Sequence, residues 1–203
     1  MTRRRTVQVP KRYITGDRGG RPGMEENMGE VIKAIAKRSS TRGYTAEPVT
    51  EEELRILLEA GLQAPTAANK QEIHFTVLKG NHPVLQEIEE DKNKLRGILA
   101  LEHNFYYEAP VVIILSADRD FRWSVLDAGI AVENMSLAAE ELGLGSLIIG
   151  CIYDALRGEK QEYYSKALQL PDNYEYEIAI AVGHKAVSKE PHTYDAAAQI
   201  TYL

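Results

Sequence analysis

The run Ala109-Pro110-Val111-Val112-Ile113-Ile114-Leu115 is the longest apolar stretch in the chain. Its aliphatic residues follow one another without helical spacing, which reads as a buried strand at Val111 to Leu115. A bilayer crossing takes about 20 apolar residues, so this run predicts a strand inside a globular core and no membrane span.

Helical and strand patterns alternate around that strand from Met28 onward, with no internal repeat. Met28, Val31, Ile32 and Ile35 fall at i, i+3, i+4 and i+7, the stripe of a helix that ends near Arg38. Thr50 and Glu53 form a capping box, Glu51 to Glu53 suit the helix N-terminus, and Leu54, Leu57, Leu58, Gly61 and Leu62 make an apolar face closed by Pro65. Phe75 to Leu78 reads as a short strand and Pro83 to Ala100 as a polar helical stretch. From Val125 to Leu142 a stripe of Val125, Ala128, Gly129, Val132, Ser136 and Ala139 predicts a central, closely packed helix, stopped by Gly143-Leu144-Gly145. Leu147 to Ile149 and Ile178 to Val182 are the next strands. The expectation is an α+β protein with a mixed sheet.

At 203 residues the body of the chain suits one domain. Residues 1–27 carry seven Lys/Arg against three Asp/Glu, with Gly19-Gly20 and Pro22-Gly23 and no apolar period; they read as a flexible basic extension before a domain at 28–203. No apolar stretch follows Arg3-Arg4-Arg5, so an export signal is not expected there. The formal charge of −6 argues against a nucleic-acid surface. Cys151 is the only cysteine, which suits a reducing cytoplasm.

Two polar turns carry the chemistry. Arg38-Ser39-Ser40-Thr41-Arg42 gathers two guanidinium groups and three hydroxyls, a set that suits a phosphate or another anion. A solvated helix end would use the same residues, and spacing alone does not choose between them. Ala64-Pro65-Thr66-Ala67-Ala68-Asn69-Lys70-Gln71 mixes small residues with donors and acceptors, fit for the close approach of a flat ligand or for a plain turn. Gly143-Leu144-Gly145 follows a helix and precedes a strand, the reverse of a dinucleotide fingerprint. The histidines show no metal-ligand spacing. Asp127 and Glu133 lie six residues apart on one helix and point in different directions, which suits capping or a dimer contact better than an acid/base pair. Tyr106-Tyr107 and Tyr163-Tyr164 suit packing, with stacking on a flat substrate as the alternative.

In their order these segments resemble the nitroreductase family over roughly Met28 to Tyr202. Val31 to Ile35 running into Arg38 to Tyr44 and Pro48-Val49-Thr50 carries the first part of the likeness. Ala60 to Gln71 carries the second, and Ala109-Pro110, Asp127 to Asn134, Leu137-Ala138-Ala139 and Leu142 to Gly145 carry the third. The resemblance implies a three-layer α/β/α sandwich with a mixed central sheet, completed by exchange of a C-terminal strand, Gln199 to Tyr202, in a homodimer. It implies FMN at the dimer interface. Arg38 and Ser40 would hold its phosphate, with Ser39 also in the cofactor site, and Arg42 would lie near the N1/O2 edge of its ring. Pro65, Thr66, Ala67 and Asn69 would come from the other subunit, and Gln71 of the same loop would also contact the cofactor. The backbone of Ile148, Ile149 and Gly150 would face the N5/O4 edge, with Asn104 as a further ring contact. A cation at the N1/O2 edge is physically apt, because negative charge develops there on reduction.

The activity implied is ping-pong hydride transfer from NAD(P)H, a transient co-substrate, through flavin N5 to an electron-poor small molecule such as a nitroaromatic or quinone. No side-chain acid or base is implied. Two departures stand out. Glu72-Ile73 replaces the Pro-Trp that often follows the loop glutamine, and Pro191-His192-Thr193-Tyr194 replaces a basic pair usual at the phosphate, leaving Lys185 or Lys189 as substitutes. Specialised branches that dehalogenate, oxidise azolines or fragment flavin, and a flavin-binding dimer without turnover, are the competing readings.

Overall fold

The structure, a computed structural model, describes residues 29–98, 101–190 and 193–203. The basic extension, Met28, Ala100 and the pair Pro191-His192 lie outside the described residues. Helix α1 spans Glu30–Lys37, α2 Glu51–Leu62, strand β1 His74–Lys79, α3 Pro83–Arg96 and β2 Val111–Asp118. Then follow α4 Ser124–Glu141, β3 Leu144–Ile149, α5 Tyr153–Arg157, α6 Gln161–Ala167, β4 Tyr174–His184 and α7 Ala196–Gln199.

The strands form one sheet in the order β1-β2-β4-β3, every neighbouring pair antiparallel. The one parallel contact recorded is the isolated bridge between Ser40 and Ser146. Alternate residues of β2 enter opposite cores. Val112 and Ile114 pack with Val84, Leu85 and Ile88 of α3 and with Leu156 and Tyr164 of α5 and α6. Val111, Ile113 and Leu115 pack with Leu57 of α2 and with Ala131, Val132, Met135 and Ala139 of α4. Helices therefore cover both faces, which is why β2 reads as an uninterrupted apolar run rather than an alternating one. Each Val, Leu, Ile or Met side chain among them taken from water contributes roughly 1.5–3 kcal/mol.

Several boundaries differ from the sequence reading. Leu144 and Gly145 belong to β3, because α4 already ends at Glu141 and the turn falls at Gly143. Strand β4 begins four residues earlier than Ile178, at Tyr174. Its extension is hidden by Glu175 and Glu177, which look like solvent residues but are buried against Arg157. Tyr176 between them is buried and its hydroxyl donates to the Ile149 carbonyl at 2.6 Å. The short α5 and α6 carry too few turns to show a period.

Burial pushes the Glu177 carboxyl up to about 7; Arg157 pulls it down and Glu175 pushes it up. The folded state thus favours the protonated form, so stability falls as pH rises from the ordinary value of 4.5 to about 7 and stays at the lower level above that. Glu177→Gln should flatten this fall and be the more stable protein at alkaline pH, by on the order of 2 kcal/mol after the loss of one Arg157 contact. Urea titrations across that range check it; parallel curves for the two proteins would refute it.

The apolar stripe of α1 faces outward. Val31, Ile32 and Ile35 are exposed, Val31 by 68%, while Ala34 turns toward the body. At the start of α4, Val125 and Leu126 are likewise exposed, whereas Ala128, Val132, Ser136 and Ala139 of the expected stripe are buried. After α7, residues 200–203 take no regular structure and leave Ile200 and Tyr202 exposed. Among the described residues no helix is long and apolar enough to cross a membrane.

Candidate functional site

Residues 38–45 leave α1 and run along the ends of β3 and β4. The Thr41 amide donates to the Ser146 carbonyl at 2.8 Å, the Thr45 amide to His184 at 2.9 Å, and the Ala186 amide to Gly43 at 3.0 Å. Two glycines make this approach possible: a Cβ at Gly145 would lie 2.7 Å from the Thr41 side chain, and one at Gly183 would lie 2.5 Å from Pro110 and 2.9 Å from the Tyr44 ring. The Tyr44 hydroxyl donates to the Thr41 carbonyl at 3.1 Å, and burial pushes this phenol well above its ordinary value. The segment is thereby fixed by backbone and by the buried Thr41, leaving the side chains of Arg38, Ser39, Ser40 and Arg42 available.

Arg38 is mostly buried, with Nε 3.9 Å from Glu133 Oε1. Arg42 is exposed and its guanidinium sits 5.9 Å from the Tyr107 ring. The hydroxyls of Ser39 and Ser40 have no hydrogen bond among the described residues. Lys189 is exposed beyond β4, whereas Lys185 is held 2.7 Å from Glu140 and is not at hand for an anion.

The second polar turn links α2 to β1. Ala68, Asn69 and Gln71 all take left-handed backbone, at φ of 54°, 53° and 50°. Such conformations cost non-glycine residues on the order of 1–3 kcal/mol each and gather at ligand-holding loops. The loop is kept in place by the Gln71 amide donating to Thr66 Oγ1 at 2.8 Å, the Asn69 amide to the Thr66 carbonyl at 2.9 Å, and the Ala67 amide to Asp127 Oδ2 at 2.9 Å. Asn69 and Gln71 remain exposed, as does Pro65.

Asp127 and Glu133 thus have a role that spacing did not disclose. Each carboxylate of α4 meets one of the two polar turns, Asp127 the second and Glu133 the first. Six residues of helix separate them, roughly 9 Å along the axis and about 120° around it. The two carboxylates therefore leave α4 in different directions, each toward its own turn.

At the end of β3, Ile149 is buried, Ile148 half-buried and Gly150 exposed. The expected ring contact Asn104 has its Oδ1 engaged locally, accepting from the Tyr106 and Glu108 amides, both at 3.1 Å. It closes a turn that holds Tyr107 and Glu108 in left-handed backbone, at φ of 53° and 56°, and sets the Tyr107 ring under Arg42. The tyrosine pairs divide as packing suggests. Tyr106 and Tyr164 are buried, while Tyr163 is exposed with its hydroxyl on Glu87. Among the described residues no cluster of His, Cys, Asp and Glu could hold a metal ion.

The donor set fits a phosphorylated, planar ligand. Guanidinium and hydroxyl groups of residues 38–42 suit a phosphate, and the tight left-handed turn at Ala68 and Asn69 leaves room for a flat ring against backbone.

The model of the nitroreductase family matches residues 35–184. The chain is 32% identical to an FMN reductase [NAD(P)H] of Bacillus subtilis over 87% of its own length and 76% of the relative's. It is 28% identical to a protein named as an NADH dehydrogenase/NAD(P)H nitroreductase of Archaeoglobus fulgidus, over 80% of this chain and 90% of that one. Among solved structures, a nitroreductase with bound FMN from Desulfitobacterium hafniense superimposes with a TM-score of 0.77 at 30% identity, covering 87% of this chain and 99% of that one. A second, from Bacteroides fragilis and also with bound FMN, gives a TM-score of 0.76 at 29% identity over 87% and 100%.

Proposed function

Because the chain belongs to the nitroreductase family, we propose that it is a homodimeric FMN-dependent oxidoreductase of the cytoplasm that passes a hydride from NAD(P)H to an electron-poor acceptor. The observation that carries this reading is the pair of polar turns, one rich in guanidinium and hydroxyl groups and one in left-handed backbone, each tied to its own carboxylate of α4. The proposed site takes one turn from each of two copies of the chain.

In this reading Arg38, Ser39 and Ser40 bind the phosphate, with exposed Lys189 as the added cation. Arg42 bears on the N1/O2 edge of the ring, steadied by Tyr107. Pro65, Thr66, Ala67, Asn69 and Gln71 of a second copy close over the ring, and the backbone at Ile148 to Gly150 faces its N5/O4 edge. Bound FMN supplies the two-electron chemistry. The protein orients the donor and then the acceptor over one face of the site, and positioning carries the rate. The single cysteine, Cys151, is in keeping with a reducing compartment.

The dimer is supported by the outward faces of α1 and α4, which leave Val31, Ile32, Ile35, Val125 and Leu126 in water. It is supported also by the edge of β1. A groove of about 820 Å³ runs along Val77 to Asn81, floored by Ala109 to Val111 and bounded by Pro48 and Val49. An open strand edge takes an added strand, and residues 199–202 of a second copy, with exposed Ile200 and Tyr202, are the segment proposed to fill it.

Purified protein should show visible flavin bands that bleach anaerobically with NADH or NADPH and return with a nitroaromatic, a quinone or, as the Bacillus relative's name suggests, free FMN. A colourless protein that takes up no FMN would overturn the reading. Flavin that neither nicotinamide reduces would point instead to a binding dimer without turnover.

A further inference from the structure

Glu72 stands where the polar turn gives way to β1, and only 8% of it is exposed. Among the described residues, both of its carboxyl oxygens are buried and neither has a well-formed hydrogen bond. The neighbouring carboxyl is Asp127, 2% exposed, which accepts from the Ala67 amide at the other side of the same turn. Two charged carboxylates in one dry place are costly, since each loses its hydration and repels the other.

We propose that Glu72 is a positioning residue held in its protonated form beside Asp127, and that this acid pair clamps the turn from Thr66 to Gln71. With the proton on Glu72, the pair carries one charge, Asp127 keeps its acceptor for the Ala67 amide, and the left-handed turn stays tight. Without it, the second carboxylate repels Asp127 and the turn loosens. Burial and the Asp127 charge both raise the Glu72 carboxyl above the ordinary carboxylate range, against the pull of its own backbone amide and of Lys70. Lys70 is itself engaged, 3.3 Å from Asp118 of β2 and over the Phe121 ring. The sign follows: a carboxyl raised on folding favours its protonated form, so the clamp is whole at low pH and is lost as pH rises through the raised value. This rests on the FMN reading only for its consequence, that flavin should be released more readily as pH rises.

The test compares wild type with Glu72→Gln, a neutral side chain of the same shape. Two quantities are followed from about pH 6 to about pH 9: the protection factor of the Ala67 amide in hydrogen exchange, and the dissociation constant of FMN. Wild type should lose Ala67 protection and FMN affinity together, by up to about tenfold per pH unit, while Glu72→Gln stays flat and retains both. Identical profiles for the two proteins, or a glutamine variant with Ala67 unprotected at every pH, overturn the proposal. If no FMN binds at any pH but Ala67 protection still titrates in wild type alone, the flavin reading fails and the acid pair stands. Should Glu72→Gln not fold, the carboxyl ¹³C titration of Glu72 in wild type decides: a midpoint in the ordinary glutamate range overturns the pair.

Discussion

Arg38→Ala should give a folded protein that has lost its flavin, with FMN affinity lowered roughly 10- to 100-fold, because a hydrogen bond from a guanidinium to a phosphate is worth about 1.5–3 kcal/mol. The expectation of intact folding has a specific ground. The contact of Arg38 with Glu133 is long, 3.9 Å, and Glu133 is about half exposed, a class of ion pair that contributes about 0–1 kcal/mol. The segment is held instead by backbone bonds to Ser146, His184 and Ala186 that alanine leaves in place. Arg38→Lys should fall between, keeping the charge but losing the two-pronged donor. Fluorescence titration with FMN and thermal melts of the three proteins check this; a variant that purifies with unchanged flavin content would remove Arg38 from the phosphate site.

Gly80→Ala should cost about 3–5 kcal/mol, or prevent accumulation of folded protein, since overpacking against backbone has no side chain that can yield. An added Cβ would lie 2.0 Å from the Ala109 carbonyl oxygen and 3.3 Å from Cα of Pro110. Gly80 also ties β1 to the start of β2: its amide donates to Pro110 at 2.8 Å and its carbonyl accepts from the Tyr106 hydroxyl at 2.7 Å. Any shift that relieves the contact breaks these bonds and disturbs the floor of the groove along β1. Urea denaturation gives the value, and a loss below about 1 kcal/mol would show that the strand end adapts freely.

The order of helices and strands was legible because it rests on local rules. Thr50 and Glu53 form the capping box that their spacing announces, with both reciprocal bonds present. The uninterrupted run into Leu115 became the strand covered on both faces. Where a local rule met tertiary compensation, it misread. Glu175 and Glu177 concealed the first turn of β4 because Arg157, distant in sequence, supplies their countercharge. The α1 stripe of Val31, Ile32 and Ile35 correctly marked a helix, yet its apolar face lies outward, since period reveals that a face is apolar and not what it packs against.

The site divides in the same way. The residue types of both polar turns were readable, since guanidinium, hydroxyl and small side chains declare their chemistry wherever they lie. Their partners were not. That Asp127 holds Ala67, that Lys185 is drawn to Glu140 and that Tyr107 rather than Tyr106 meets Arg42 all depend on distances between residues far apart in the chain. Sequence alone determined the longer elements, the family likeness and the kinds of donor available, because propensity, capping and hydrophobic period act over a few residues. Only the tertiary structure decided which carboxylate answers which donor and which faces remain for a second copy, because buried charge and close packing are settled by the whole fold at once.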